Sequence, residues 1–225
     1  MNNVIASKNS ELIKRYLQLD ATGKVRGFLM LTKRFVKTHG IGDAVKGFPS
    51  SYGWVVMCLH FLLRFEYIPN IQRSDVHVDR RRNRKLDFRM YEVDQTISLS
   101  ATHVESLREV TAVDLLNQFL VYLYKDFNHE LYCMTLRGTG NDTIVPKSLW
   151  YANYYWRLSV EDPFERLDTL KAHDLGNMMN VDTSKQLFRI LGRAVEDFSN
   201  ALNNESFASR STSWSKLFFK GGNSR

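Results

Sequence analysis

The sequence predicts a mainly α-helical protein with a few short strands, an α+β class. Long stretches carry apolar residues at helical spacing, and only short ones are strand-like. Hydrophobic residues make up 44% of the 225 residues, enough for one large domain or two small lobes around a core. Cys58 and Cys133 each lie in an apolar run, so neither a disulfide framework nor a cysteine zinc site is expected.

Three helices are predicted in the first part of the chain. Asn9 or Ser10 is expected to cap the first, after an irregular segment at residues 1–8. A second helix keeps its apolar residues on one side and ends at Gly40. The third, from about Tyr52 to Phe65, is apolar nearly all round, which indicates burial between other elements.

The rest of the chain alternates polar and regular stretches. Helices are predicted at about 112–127 and 183–202, and strand-like pieces at 131–136 and 158–160. We divide the chain into a central helical region (1–71), a basic insert or loop (72–108), a region carrying a further motif (109–202) and a C-terminal tail (203–225).

The charge balance is basic. The net charge is +7, from 31 Lys and Arg against 24 Asp and Glu, which suggests a polyanionic partner such as nucleic acid or a nucleotide. The longest uncharged stretch, 47–63, is interrupted by polar residues, and no apolar leader opens the chain. We therefore expect no membrane association and an intracellular location, in the cytoplasm or a mitochondrion.

A first candidate for chemistry is the predicted helix start at Ser50-Ser51-Tyr52. Free backbone N–H groups and the helix dipole favour phosphate there, and the Tyr52 ring offers a surface on which a base can stack. An ordinary serine cap followed by a core tyrosine is the alternative, and on this segment alone it is the commoner case.

Two further pairs carry charge at regular spacing. Lys33 and Lys37 lie one helical turn apart, where they could clamp a di- or triphosphate or form a solvated basic stripe. Asp162 and Glu165 flank a Pro-Phe pair, and their carboxylates could accept hydrogen bonds from a base edge or cap a helix.

In combination and order, these segments resemble the non-canonical poly(A) polymerases and terminal RNA uridylyltransferases. The resemblance rests on Asn9-Ser10, on Lys33 and Lys37 followed by Ser50-Ser51-Tyr52-Gly53, and on Val160-Glu-Asp-Pro-Phe-Glu165. It implies the fold of that family's helical central and poly(A)-polymerase-associated lobe. It also implies a template-independent enzyme that adds nucleotides to the 3′ end of single-stranded RNA.

The resemblance implies roles in holding a nucleoside triphosphate. Asn9 would contact the ribose, with Asn3 close by. Lys33 and Lys37 would hold the triphosphate, helped by the Ser51 hydroxyl.

The base would be read by a second group of residues. Tyr52 would stack on it, and Asp162 and Glu165 would reach its edge. In uridylyl-specific members a histidine after this motif helps exclude adenine; counting without a gap reaches Asp168, whereas an insertion makes His173 the candidate. The resemblance thus favours UTP over ATP, with His173 carrying the choice.

The family's catalytic metal site is not expected in this chain. The family holds two Mg²⁺ (or Mn²⁺) ions with three acidic residues, two of them in an Asp-x-Asp/Glu pattern after a Gly-Ser turn. This chain contains no Gly-Ser dipeptide. We therefore expect the metal-binding acids upstream of Met1, and the chain alone to be inactive.

The basic run Arg80-Arg81-Arg82-Asn83-Arg84-Lys85 is a candidate RNA-backbone contact, a contact for a protein complex, or a solvated loop. Two rivals to the uridylyltransferase hypothesis stay open. One is a poly(A) polymerase using ATP, and the other is a non-catalytic nucleotide- or RNA-binding scaffold.

Overall fold

The computed structural model describes residues 2–72, 93–136, 138–149, 154–164 and 173–203. The helices are α1 (Asn2–Leu19), α2 (Lys24–His39), α3 (Ser51–Arg64), α4 (Ala101–Glu109), α5 (Ala112–Val121) and α6 (Val181–Asn203). The strands are β1 (Tyr132–Met134), β2 (Ile144–Pro146) and β3 (Ser159–Val160). A mainly helical chain with a few short strands confirms the predicted fold class.

Helix α1 begins earlier than predicted. Residues 2–8 are helical rather than irregular, and Asn9 and Ser10 lie inside the helix instead of capping it. The prediction gave weight to the capping preference of Asn and Ser. However, residues 2–8 contain no Gly or Pro to stop a helix, so the helix extends through them.

Helix α3 is the central element of the core. All its residues from Gly53 to Leu63 are buried, as its uniformly apolar sequence predicts. The Phe28 ring of α2 lies 5.8 Å from that of Phe61 and 5.5 Å from that of Phe119 in α5. Edge-to-face and tilted ring pairs of this kind add to the burial term, so α2, α3 and α5 form one apolar unit.

A buried histidine lies within this core. The His60 ring makes hydrogen bonds to the Thr135 carbonyl (Nδ1, 3.1 Å) and to the Tyr122 hydroxyl (Nε2, 2.7 Å). A carbonyl only accepts, so Nδ1 carries the proton and Nε2 accepts from Tyr122. Burial lowers the pKa of His60 to about 4, which keeps the ring neutral at pH 7.

Helix α4 begins inside the stretch 72–108, which was predicted to be an insert or loop, and ends at Glu109. It begins with a capping box, in which the Ser100 side chain accepts from the His103 N–H and the His103 side chain accepts from the Ser100 N–H. Leu107 is its buried residue. With a single buried apolar residue among nine, the apolar pattern of this segment is too weak to predict a helix.

The small sheet positions the end of β3. Its order is β2-β1-β3, with β1 antiparallel to β2 and parallel to β3. Beyond β3 an isolated bridge pairs Glu161 with Asp174, and the Leu175 N–H donates to the Val160 carbonyl at 2.8 Å. The backbone around residue 174 is thereby held beside residues 160–162.

No helix among the described residues combines the length and the apolar character needed to cross a bilayer.

Candidate functional site

A cavity of about 420 Å³ lies between α2 and the N-terminus of α3. We call it the basic cavity, because four cationic side chains line it together with Ser51 and Asp43. These four are Lys33, Arg34, Lys37 and Lys46. A cavity of this volume with convergent cations is suited to a polyphosphate.

The predicted lysine pair lies on one face of α2, and both side chains are exposed. The structure places Lys33 and Lys37 together at the basic cavity, as their spacing predicts. Helix α2 ends at Gly40, whose φ of 68° is readily adopted by glycine. The chain can thus turn back at once toward α3.

The N-terminus of α3 supplies the other wall of the basic cavity. Ser50 is its cap, and its hydroxyl accepts from the Gly53 N–H at 3.0 Å. Ser51 opens the helix and lines the cavity. Ser50 therefore has the capping role that its sequence also allows, whereas Ser51 is part of the wall of the basic cavity.

Tyr52 is half-buried and fixed by a residue of α1. Its hydroxyl donates to Asn9 Oδ1 at 2.8 Å. Burial raises the pKa of Tyr52, and the nearby negative charge of Asp162 raises it further. The phenol is therefore neutral at physiological pH, Asn9 is hydrogen-bonded to it, and Asp162 is near enough to influence its ionisation.

Asp162 and His173 lie side by side although the sequence separates them. Asp162 Oδ2 is 3.5 Å from His173 Nδ1, and the Asp162 N–H donates to the His173 carbonyl at 3.0 Å. Asp162 is buried, and its Oδ1 accepts from the Phe164 N–H at 2.8 Å. The side chain of His173 is 38% exposed, which leaves it within reach of a ligand.

Some residues of the site were not found from the sequence. Arg34 and Lys46 line the basic cavity, and Lys46 Nζ is 3.5 Å from Asp43 Oδ2. Asn177 Nδ2 lies 3.5 Å from His173 Nε2. The sequence signal for Lys46 was its place in a glycine-flanked loop before α3, whereas Asn177 carried no signal.

Several predicted residues fall outside what the structure describes. Asn3 lies in α1, but its side chain is outside the described part, as are Glu165 and Asp168. The basic residues Arg80, Arg81, Arg82, Arg84 and Lys85 are outside it too. Their assigned roles stay predictions.

Comparison with known proteins relates this arrangement to one family. Poly(A) RNA polymerase GLD2-B of Xenopus laevis is 29% identical over 185 residues, which cover 76% of this chain and 32% of that protein. Poly(A) RNA polymerase gld-2 of Caenorhabditis elegans is 32% identical over 140 residues, which cover 60% of this chain and 12% of that protein. A cytoplasmic RNA terminal U-transferase shares the fold with a TM-score of 0.68 and 25% identity, covering 96% of this chain and 63% of that one.

The chain is a relative of the non-canonical poly(A) polymerases and terminal uridylyltransferases. No protein-family model matches it. It spans about a third of the length of the GLD2 poly(A) polymerases it matches. The fold likeness extends to the Cid1 poly(U) polymerase, with a TM-score of 0.71 at 22% identity over 96% of this chain and 62% of that one.

Structures of Cid1, which shares this fold, have been solved with ligands. Structures of Cid1 hold Mg²⁺ with 3′-dATP, the UTP analogue UMPNPP, and the short product ApU. In this chain, no group of three or more His, Cys, Asp or Glu residues within the described ranges could hold a metal ion. The described residues therefore do not fit a metal site.

Proposed function

We propose that the described residues form the nucleotide-binding cleft of a template-independent RNA 3′-terminal nucleotidyltransferase. The observation that carries the proposal is the proximity of three parts at the N-terminus of α3. Ser51 lines the basic cavity, Tyr52 is the next residue of the helix, and Asp162 lies near enough to raise the pKa of Tyr52 and 3.5 Å from His173. A nucleoside triphosphate needs such parts for its phosphates, for the face of its base and for the edge of its base.

Each part meets a different portion of the nucleotide. Lys33, Lys37 and Ser51 take the triphosphate through charge-assisted hydrogen bonds. Asn9 can offer its Nδ2 amide N–H groups to the ribose, because its Oδ1 already accepts from Tyr52. The base stacks on the Tyr52 ring.

The reaction of such an enzyme joins a nucleotide to single-stranded RNA. The RNA 3′-hydroxyl attacks the α-phosphate, a new phosphodiester bond forms, and pyrophosphate leaves. The described residues hold the triphosphate that supplies both groups. Because the sequence lacks a Gly-Ser turn followed by an Asp-x-Asp pattern, we expect the isolated chain to bind nucleotide without extending RNA. Mg²⁺-dependent extension of a labelled oligoribonucleotide by the purified chain would contradict this.

We propose UTP as the preferred nucleotide, on the basis of the Asp162–His173 pair. Uracil presents an N–H donor at N3 beside a carbonyl acceptor at O4. A carboxylate accepts from the first, and an imidazole N–H donates to the second. Adenine presents the opposite pattern along the same edge. Its acceptor would face the Asp162 carboxylate and its amino donor would face the imidazole N–H, and a buried site strongly rejects such a mismatch.

ATP is the second candidate, because the matching GLD2 proteins are named poly(A) RNA polymerases. Titration of the chain with UTP, ATP, CTP and GTP by calorimetry separates the two. We expect UTP to bind at least about tenfold more tightly than ATP, a discrimination within the range of polar base recognition. Tighter binding of ATP would favour the adenylyl candidate and overturn the uridylyl proposal.

The stacking role of Tyr52 gives a direct test of the cleft. Tyr52→Ala should weaken binding of all four nucleotides by roughly 5- to 150-fold, because stacking of a base on an aromatic ring contributes about 1–3 kcal/mol. Tyr52→Phe keeps the ring and loses only the hydrogen bond to Asn9, so its loss should be smaller. Calorimetric titration measures both.

A matched control is Tyr155, which is 63% exposed and lies outside the cleft. Tyr155→Ala should leave nucleotide affinity unchanged. Equal affinities of Tyr52→Ala and the wild type would remove Tyr52 from the site.

A further inference from the structure

Asp174 follows His173 in the chain and is almost fully buried, with 7% of its surface exposed. Its Oδ1 accepts two backbone hydrogen bonds, from the Val160 N–H at 3.0 Å and from the Gly176 N–H at 2.8 Å. Val160 is the last residue of β3, and Gly176 belongs to the turn before α6. One carboxylate oxygen therefore ties the His173 turn to the end of the strand.

The second oxygen of Asp174 is held from the other side. Arg157 Nη1 lies 3.5 Å from Oδ2, and both side chains are largely buried. The guanidinium of Arg157 also stacks over the Tyr154 ring at 4.2 Å. Lys147 Nζ donates to the carbonyls of Tyr154 and Arg157, which fixes the turn that carries Arg157. The ion pair thus rests on a rigid support.

The turn approaches β3 so closely that it requires a glycine. A Cβ atom on Gly176 would lie 2.1 Å from the Leu158 carbonyl oxygen, far inside van der Waals contact. The backbone bonds from Leu175 N–H to Val160 O and from Asp162 N–H to His173 O continue the same close pairing. The Asp174 side chain therefore stabilises the backbone of the turn that includes His173.

We propose that Asp174 is the positioning residue for base selection, holding His173 opposite Asp162. This inference rests on the proposed function, since it concerns the same cleft. Asp174 faces β3 and Arg157 rather than the nucleotide, so it acts through His173. Removing its acceptor leaves two buried N–H groups unpaired and releases the turn, because an unmade buried hydrogen bond is costly. The Asp162–His173 distance then ceases to be fixed.

The test compares Asp174→Ala with Asp174→Asn. The asparagine keeps an Oδ1 acceptor for both backbone N–H groups and loses only the charge facing Arg157. We expect Asp174→Ala to reduce the ratio of UTP to ATP affinity about tenfold and Asp174→Asn to retain it. Affinity for inorganic tripolyphosphate, which probes the basic cavity alone, should be the same in wild type and both variants. Asp182→Ala, an exposed aspartate at the start of α6, is the control.

The outcomes separate this inference from the proposed function. A wild-type chain that binds neither nucleotide nor tripolyphosphate would overturn the proposed function. A wild-type chain that binds nucleotide, with an unchanged affinity ratio in Asp174→Ala, would overturn the positioning role alone. Loss of the ratio in Asp174→Asn would also overturn it, because charge rather than the backbone acceptor would then matter.

If Asp174→Ala does not fold, amide hydrogen exchange in the wild type tests whether Asp174 holds the Val160 and Gly176 amides. The Val160 and Gly176 amides should exchange at least about tenfold more slowly than in an unfolded peptide, because both are buried hydrogen-bond donors to Asp174. Protection supports the proposal, and exchange at the unfolded rate overturns it.

Discussion

Replacing Lys33 and Lys37 together by alanine is expected to weaken nucleotide binding about 100-fold. A hydrogen bond to a charged group contributes about 1.5–3 kcal/mol, and two such bonds at the lower limit give about 3 kcal/mol. The lower limit applies because both ammonium groups are exposed and solvent screens them. The loss should be the same for UTP, ATP, CTP and GTP, because contacts to phosphate do not read the base.

Calorimetric titration of the double variant with the four nucleotides measures this effect. Lys185→Ala is the control, since Lys185 is exposed on α6 and does not line the basic cavity. Wild-type affinity should also fall as salt is raised, and the double variant should respond less. A loss confined to one nucleotide would show that the lysines read the base, contrary to the assignment.

Lowering the pH from 6.5 to 4 is expected to reduce the free energy of unfolding by about 3 kcal/mol through His60 alone. Burial lowers the pKa of this histidine to about 4 in the folded chain, from 6.5 when it is exposed. Between these two values the unfolded chain binds more protons than the folded one. Stability therefore falls as the pH falls through this window, and below it the effect is complete.

Urea denaturation at pH 7 and at pH 4.5, on wild type and His60→Gln, tests this prediction. The variant should be less stable at pH 7, because it disturbs the bonds to Thr135 and Tyr122, but its stability should change less between the two pH values. The quantity to compare is the difference between the two proteins, because every titratable group other than His60 is common to both. Equal pH dependence of wild type and His60→Gln would contradict the prediction.

Much of the helical framework could be predicted because burial imposes periodicity. Helices α2 and α3 follow directly from the spacing and density of their apolar residues. The predicted start of α1 was wrong because Asn and Ser are favoured at helix caps, whereas this helix continues through Asn9 and Ser10. Strand β2 was missed because it is three residues long and includes Pro146, a residue that argues against a strand.

The candidate site also contains features that could be predicted from the sequence and features that could not. The lysine pair depends on spacing along one helix, which a sequence displays directly. The bond between Tyr52 and Asn9 joins α1 to α3, and the Asp162–His173 pair depends on a bridge beyond β3. Such contacts arise from tertiary packing, so spacing alone could not choose between His173 and Asp168.

The paired backbone of Asp162 and His173 has a consequence for how this site can evolve. Asp162 and His173 are the two partners of one backbone hydrogen bond, so the distance between their main chains is fixed whatever residues separate them in the sequence. Lengthening a connection between two fixed ends costs only a term that grows with the logarithm of its length. Residues can therefore be gained or lost between these two positions while the Asp162–His173 pair stays intact. Searches for related enzymes should treat the acidic motif and the histidine as two anchors with a variable gap, not as one rigid pattern.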